Sequence, residues 1–171
     1  RVLDGPEATI KLLHGQECRT IIVNHDLLYL AQDRGKSSDS IDFPNRLPSS
    51  DHDCITGKNV YMVHAEPPDH CHGGIKLLDK NGELLKDRLE YWSETLAGYD
   101  YDVLIVGHTH QVYIEKIAGM LVINPGSTVF NHSCAILRLP EMTVELFSLS
   151  GKNIQRTWNW GEHVINADSA R

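Results

Sequence analysis

Cysteine is scarce. The chain has Cys18, Cys54, Cys71 and Cys134, and no two of them form a CxxC pair. That spacing suggests neither a zinc ribbon nor a disulfide framework, so reduced thiols in a cytoplasmic protein are expected. Long apolar runs are missing too. None approaches the roughly 18 residues of a membrane-spanning helix, so no membrane partner is expected. No charged-then-apolar leader is read at the start. Basic residues are outnumbered, 16 Lys and Arg against 23 Asp and Glu, giving a net charge of −7. An acidic surface argues against a sequence-independent grip on nucleic acid, which needs clustered Lys and Arg. It leaves phosphate substrates open, because bound cations can supply positive field locally. There is no HExxH of a zinc hydrolase, and no Ser or Cys nucleophile elbow.

Histidine is what the chain has in quantity, ten residues in all. Histidine is both a metal ligand and a proton donor near neutral pH, so its neighbours in sequence carry information. The element pattern supplies the context. Residues 7–13 carry Ala8, Ile10, Leu12 and Leu13 at helical spacing, and Gly15 is a stop. The β-branched run 20–23 predicts a buried strand, and 26–31 opens a second helix. Residues 32–53, rich in Asp, Ser, Pro and Gly, read as one long loop. A turn is expected at 57–59 and a strand at 60–63. A loop punctuated by Pro67-Pro68 and Gly73-Gly74 follows. A helix is expected over 83–96, with Leu84, Leu85, Leu89, Trp92 and Leu96 on its apolar face and Gly98 ending it.

The last third is strand-rich. Strands are expected at 103–106, 111–117, 120–123, 133–139 and 143–149, with hairpin turns at Gly119 and at Pro140-Glu141. The tail 151–171 is polar and poorly patterned, with Trp158 and Trp160 expected to pack down. Helices alternate with strands first and hairpins follow, which suggests one domain with a mixed α/β sandwich. Sites in such sheets form at the carboxyl ends of strands. Three clusters fall there: Asn24-His25-Asp26, His64, and His108-Thr109-His110.

Each cluster has two readings. His108 and His110 follow an apolar strand and Gly107, where the backbone can bend sharply and splay two imidazoles toward neighbouring metals. A chance HxH in a histidine-rich chain is the alternative, and the apolar strand and Gly before this pair weigh against it. Asn24 offers a hard oxygen ligand, and His25 could donate a proton while Asp26 holds its ring. Taken alone, the segment reads first as an ordinary helix start, with Asn24 as cap and Asp26 in the first turn. His64 taken alone reads first as a histidine at the edge of a core. His52, Cys54, His70, Cys71 and His72 could be thought a separate zinc site. HxC and HCH lack the usual zinc spacing, and Cys71 and His72 alternatively line a substrate pocket.

Taken together, strand–NHD, strand–H, strand–GHTH and then Asn124-Pro125-Gly126-Ser127 form an order that resembles the calcineurin-like metallophosphoesterases, especially the small bacterial and archaeal phosphodiesterase-type members. Residues 101–127, YDVLIVGHTHQVYIEKIAGMLVINPGS, and 57–67, GKNVYMVHAEP, are similar to theirs. The resemblance runs through about the first 150 residues. It implies an α/β/β/α sandwich of two mixed sheets flanked by helices. It implies hydrolysis of a small phosphate ester, diester or monoester, by a metal-activated hydroxide. The cofactors would be two divalent ions, manganese foremost, with Fe, Ni, Zn or Mg also suited. By this resemblance His110 binds the first ion, and Asn24, His64 and His108 bind the second. His25 protonates the leaving group or holds the phosphate, and Asp26 orients it.

The chain also departs from the family pattern. No Asp-x-His follows an opening strand, so that motif, with a first strand and helix, is expected upstream of Arg1. Gly5-Pro6 fits the pair that trails the family's bridging aspartate, which would then also precede Arg1. Asp4 reads either as a loop residue or as that ligand. Val23 and Ala65 stand where the family usually has Gly. A non-catalytic protein-interaction scaffold of the same fold, like the small retromer subunit, is the rival reading. Scaffold descendants tend to lose the NHD histidine, which is present here as His25.

Overall fold

The computed structural model describes residues 6–32 and 39–158. Three short helices lead: α1 (Pro6–Gly15), α2 (Asn24–Gln32) and α3 (Asp39–Asn45). They pack against one another. The strands β1 (Ser50–Ile55) and β2 (Lys58–Val63) follow, then α4 (Lys86–Leu96) and β3 (Val103–Ile105). Two hairpins follow, β4 (Val112–Ile117) with β5 (Met120–Pro125), and β6 (Ser133–Arg138) with β7 (Thr143–Ser148).

The α/β sandwich expected from the sequence is present, with two sheets of five and two strands flanked by helices. The larger sheet has the order β1-β2-β3-β5-β4. Strands β2, β3 and β5 run parallel to one another, while β1 and β4 close the edges antiparallel. The period of two along a strand divides the core. Leu104, Met120 and Val122 face α4, where Trp92 and Leu96 pack with Ile75, Leu77 and Tyr113. Val60, Val103 and Ile123 face the other way, against Leu137 and Val144 of the second sheet. Leu104, Val103 and Val122 are fully buried. At roughly 25 cal/mol per Å² of apolar area removed from water, these two layers are the main source of fold stability.

The parallel trio sets up the site. The carboxyl ends of β2, β3 and β5 lie side by side, and they lead into His64, into Gly107-His108-Thr109-His110 and into Asn124-Pro125-Gly126. Asp102 fastens the opposite end. It accepts from Asn59 N at 2.9 Å and from Lys58 Nζ at 3.1 Å. These bonds, the backbone donor first, hold its carboxyl below the usual carboxylate range. A lowered folded pKa stabilises the fold above the unfolded value of about 4, and that contribution fades as pH falls through the folded value. Asp102→Asn should therefore flatten the acid limb of stability below about pH 4, as read by chemical denaturation at stepped pH. A limb as steep as wild type would refute the assignment.

Several expectations are corrected. Residues 20–23 carry no strand. Ile22 N donates to Pro48 O at 2.9 Å, and one such bond does not make a ladder, whatever the β-branched run prefers. The span 32–53 is not one loop, because it holds α3 and the start of β1. The strand β1 pairs with β2 through a turn at Thr56 and Gly57, whose φ values of 52° and 79° suit a tight hairpin. The helix α4 begins at Lys86, not at 83. Glu83 and Leu85 are spent pairing with Asp79 and Leu77, through Asp79 N to Glu83 O and Leu85 N to Leu77 O, both 2.8 Å. The turn at Gly119 is as expected. No helix among the described residues is long and apolar enough to cross a membrane. Asp4 and Trp160 lie outside the described residues.

Candidate active site

The first site segment is set by how α2 begins. Val23 O accepts from Leu27 N at 3.2 Å, so Val23 holds the cap position and Asn24 is the first helical residue. Asp26 reaches back, and its carboxylate accepts from Val23 N at 3.0 Å. This is the reciprocal half of a capping box. The Asn24 side chain is thereby released from capping, and its Oδ1 lies 2.8 Å from His64 Nε2. His25, the next residue, is exposed and lines the same cavity.

His64 follows β2 directly. Its carbonyl accepts from Gly107 N at 2.8 Å, which ties the ends of β2 and β3 together. The loop beyond β3 is tightly wound. Thr109 N donates to Gly107 O at 2.6 Å, and both His108 and His110 are left-handed, with φ of 62° and 49°. Each such residue costs roughly 1–2 kcal/mol, and conformations of this kind concentrate at functional positions. The sharp winding brings His108 Nδ1 to 3.2 Å from His64 Nε2. The His110 ring stacks instead on Phe130, with centroids 4.8 Å apart.

Two buried asparagines hold the loop in this shape. Asn124 Nδ2 donates to Thr109 Oγ1 at 2.9 Å and to Gly107 O at 3.3 Å, while its Oδ1 accepts from Gly126 N at 3.0 Å. Asn131 Nδ2 donates to His110 O at 2.9 Å and to Gln155 O at 2.7 Å. Ser127 completes the brace. Its N donates to Asn131 Oδ1 at 2.9 Å, and its hydroxyl accepts from Phe130 N at 3.2 Å. Trp158 N donates to His110 O at 3.1 Å, so Trp158 packs down onto the site as expected.

These residues line a cavity of about 1040 Å³. Its floor keeps the imidazoles neutral. Burial, then the neighbouring His108, His25, His110 and His72, pushes His64 down to about 4. His108 is lowered by burial, then by His72, His110 and Lys76. His110 is lowered by burial and then by His25. Neutral imidazole presents a lone pair, the form in which histidine binds metals. The Asn24, His64 and His108 contacts set one ring nitrogen against an amide oxygen and a second ring nitrogen, at 2.8 and 3.2 Å. One proton on His64 Nε2 can be shared by both acceptors, and the three atoms that converge on this spot are all of types that bind metals.

The structure therefore brings Asn24, His64 and His108 together and places His25 and His110 at the same cavity. Asp26 is engaged in capping. Among the described residues, no three His, Cys, Asp or Glu side chains group to hold a metal ion. That statement covers the zinc idea at His52, Cys54, His70, Cys71 and His72 as well as the two-ion set. The His72 ring lies 6.0 Å from that of His108, at right angles.

Sequence reasoning missed Lys76, Lys80 and Phe130, which line the cavity, and the bracing role of Asn124 and Asn131. The alternation Ile75-Lys76-Leu77 was the signal for Lys76. The buried Asn131 left no comparable trace.

This arrangement of parallel strand ends, histidine loop and asparagine brace is that of a phosphoesterase-type α/β sandwich. The model of the Calcineurin-like phosphoesterase superfamily domain matches residues 5–140, and the chain belongs to that superfamily. A probable metallophosphoesterase of Mycoplasma pneumoniae (strain ATCC 29342 / M129 / Subtype 1) is 34% identical over 84 residues. The match covers 46% of this chain and 48% of that protein, so the chain spans about half the length of this curated relative. A hypothetical protein of Pyrococcus horikoshii OT3 superposes with a TM-score of 0.60 at 14% identity, over 97% of this chain and 75% of its own. That likeness is one of fold. Membership supports hydrolase chemistry on phosphate esters in general.

Proposed function

We propose that the chain hydrolyses small phosphate esters, diesters or monoesters, in a metal-dependent reaction at the cavity floored by Asn24, His64 and His108. The observation that carries this reading is the crowding of Asn24 Oδ1 and His108 Nδ1 around His64 Nε2, at 2.8 and 3.2 Å, between neutral rings. A hard amide oxygen with two imidazoles suits manganese, and equally Fe, Ni, Zn or Mg. An ion bound there would act as a Lewis acid toward a phosphoryl oxygen and acidify water.

The chain's own part is to hold and orient. Asn24, His64 and His108 would hold one ion, their lone pairs kept available by burial. His110, steadied by Phe130 and Asn131, is the candidate for a second ion. His25, exposed beside Asn24, is suited to give a proton to the leaving oxygen or to hold a phosphoryl oxygen. Asp26 supports His25 indirectly, by fixing the first turn of α2 rather than by holding the ring. Phe130 and Trp158 cover one side of the cavity with apolar surface, which limits water there.

Metal content and hydrolysis of bis-p-nitrophenyl phosphate and p-nitrophenyl phosphate, measured together with added Mn²⁺, test this reading. About two ions per chain, with turnover lost to a chelator and restored by Mn²⁺, is the expected result. No turnover of either ester, with one ion or none, would sink the proposal and favour a protein-interaction scaffold of the same fold.

A further inference from the structure

A second set of charges lines the same cavity. Residues 75–80 run along it with their side chains divided. Ile75, Leu77 and Leu78 are buried, while Lys76 and Lys80 are exposed to the cavity. The backbone between the lysines is held from below. Gln111 Oε1 accepts from Leu77 N at 2.8 Å and from Leu78 N at 3.1 Å, and Gln111 Nε2 donates to Leu78 O at 2.8 Å. Tyr113 Oη donates to Ile75 O at 2.8 Å, and Thr157 Oγ1 donates to Lys80 O at 3.0 Å. Three polar side chains, of which Gln111 and Tyr113 are buried, thus fix a stretch that belongs to neither sheet, and a charge on a rigid support binds better than one on a mobile loop.

Neither lysine is tied up in an ion pair among the described residues. The ion pairs among the described residues involve Arg19, Lys58, His70 and Arg138, not Lys76 or Lys80. Asp79 lines the same cavity, but its carboxylate is turned onto the backbone, accepting from Asn81 N and Glu83 N at 2.8 Å, and it forms no ion pair with either lysine. A chain with net charge −7 therefore sets two unpaired ammonium groups at one cavity. With Asp79 also at the cavity, the two lysines still leave this stretch of lining with a positive excess, and such an excess concentrates anions.

We propose that Lys76 and Lys80 form a second anion subsite in this cavity, and that the preferred substrate carries a second phosphoryl group beside the ester held at the histidine cluster. Two ammonium charges match one phosphoryl dianion, and lysine binds phosphate as a point charge without demanding one geometry. The inference rests on the phosphate-ester reading of the cavity, but its test does not need turnover.

The test is equilibrium binding of inorganic tripolyphosphate to the metal-free chain by titration calorimetry. The Lys76→Ala/Lys80→Ala variant should bind about tenfold more weakly than wild type. A Lys86→Ala/Lys116→Ala variant removes the same charge from exposed positions that do not line the cavity. It should stay within about twofold of wild type, as screened distant charges do. Cavity-variant affinity within twofold of wild type, or an equal loss in the two variants, would overturn the subsite. If binding behaves as expected but no ester is hydrolysed, the catalytic reading fails and the subsite stands.

Discussion

Replacing His108 with Ala should lower turnover of bis-p-nitrophenyl phosphate by roughly a thousandfold or more while the chain stays folded. Partners that merely orient metal ligands already cost about 10–100-fold when removed, and a ligand itself should cost more. Stability should move little. His108 is only partly buried, and Ala keeps the same left-handed backbone at φ 62°. The strain therefore remains, and the buried Asn124 brace to Gly107 and Thr109 is untouched. The melting temperature should shift by less than about 4 °C, the size of a 1 kcal/mol change in a chain of this length. Thermal melts by circular dichroism and steady-state rates on one purified sample check both halves. Full activity in folded His108→Ala protein would remove His108 from the chemistry. A melt lowered by tens of degrees would make it a structural residue instead.

The reason His108 was legible in sequence is local. An apolar strand, a glycine and then HTH can be read without knowing any partner, and the strand and bend are both there. His64 was legible only at second remove. Its strand was clear, but its meeting with Asn24 and His108 depends on β2 and β3 being parallel neighbours, which no local pattern states. Asn24 was read as cap or ligand, and the choice turned on Val23 taking the cap position while Asp26 reached back. β-branched residues are poor caps, so propensity pointed the wrong way.

The strand β1 was hidden for another reason. Its sequence, Ser-Asp-His-Asp-Cys-Ile, lies at a sheet edge with most side chains exposed, so no apolar alternation marks it. The helix α3 was hidden by its internal Pro44. Residues 20–23 show the opposite failure. Their β-branched pattern was strong, but strand formation needs a ladder as well as propensity.

Gly126→Ala should destabilise the chain by about 3 kcal/mol, and Gly119→Ala by only about 1, although both glycines are left-handed. Their φ values are similar, 79° and 88°. What differs is the space a methyl group would enter. A Cβ at Gly119 meets nothing within 4 Å. One at Gly126 would lie 2.6 Å from Val112 Cγ2, 2.7 Å from Ser133 Oγ and 2.9 Å from Asn131 Cβ. All three neighbours are buried, and two of them are committed. Ser133 Oγ donates to Pro125 O at 2.6 Å, and Asn131 holds the carbonyls of His110 and Gln155. Relief thus requires moving either the wall of β4 or the brace that shapes the histidine loop. Backbone strain of about 1 kcal/mol is common to the two variants, so their difference isolates the steric part. Urea unfolding of both proteins measures it, and the melt of Gly126→Ala should fall by roughly 6–12 °C. Equal losses in the two variants would mean that φ alone sets the cost. In that case the close packing around Gly126 would not be what fixes the asparagine brace against the loop.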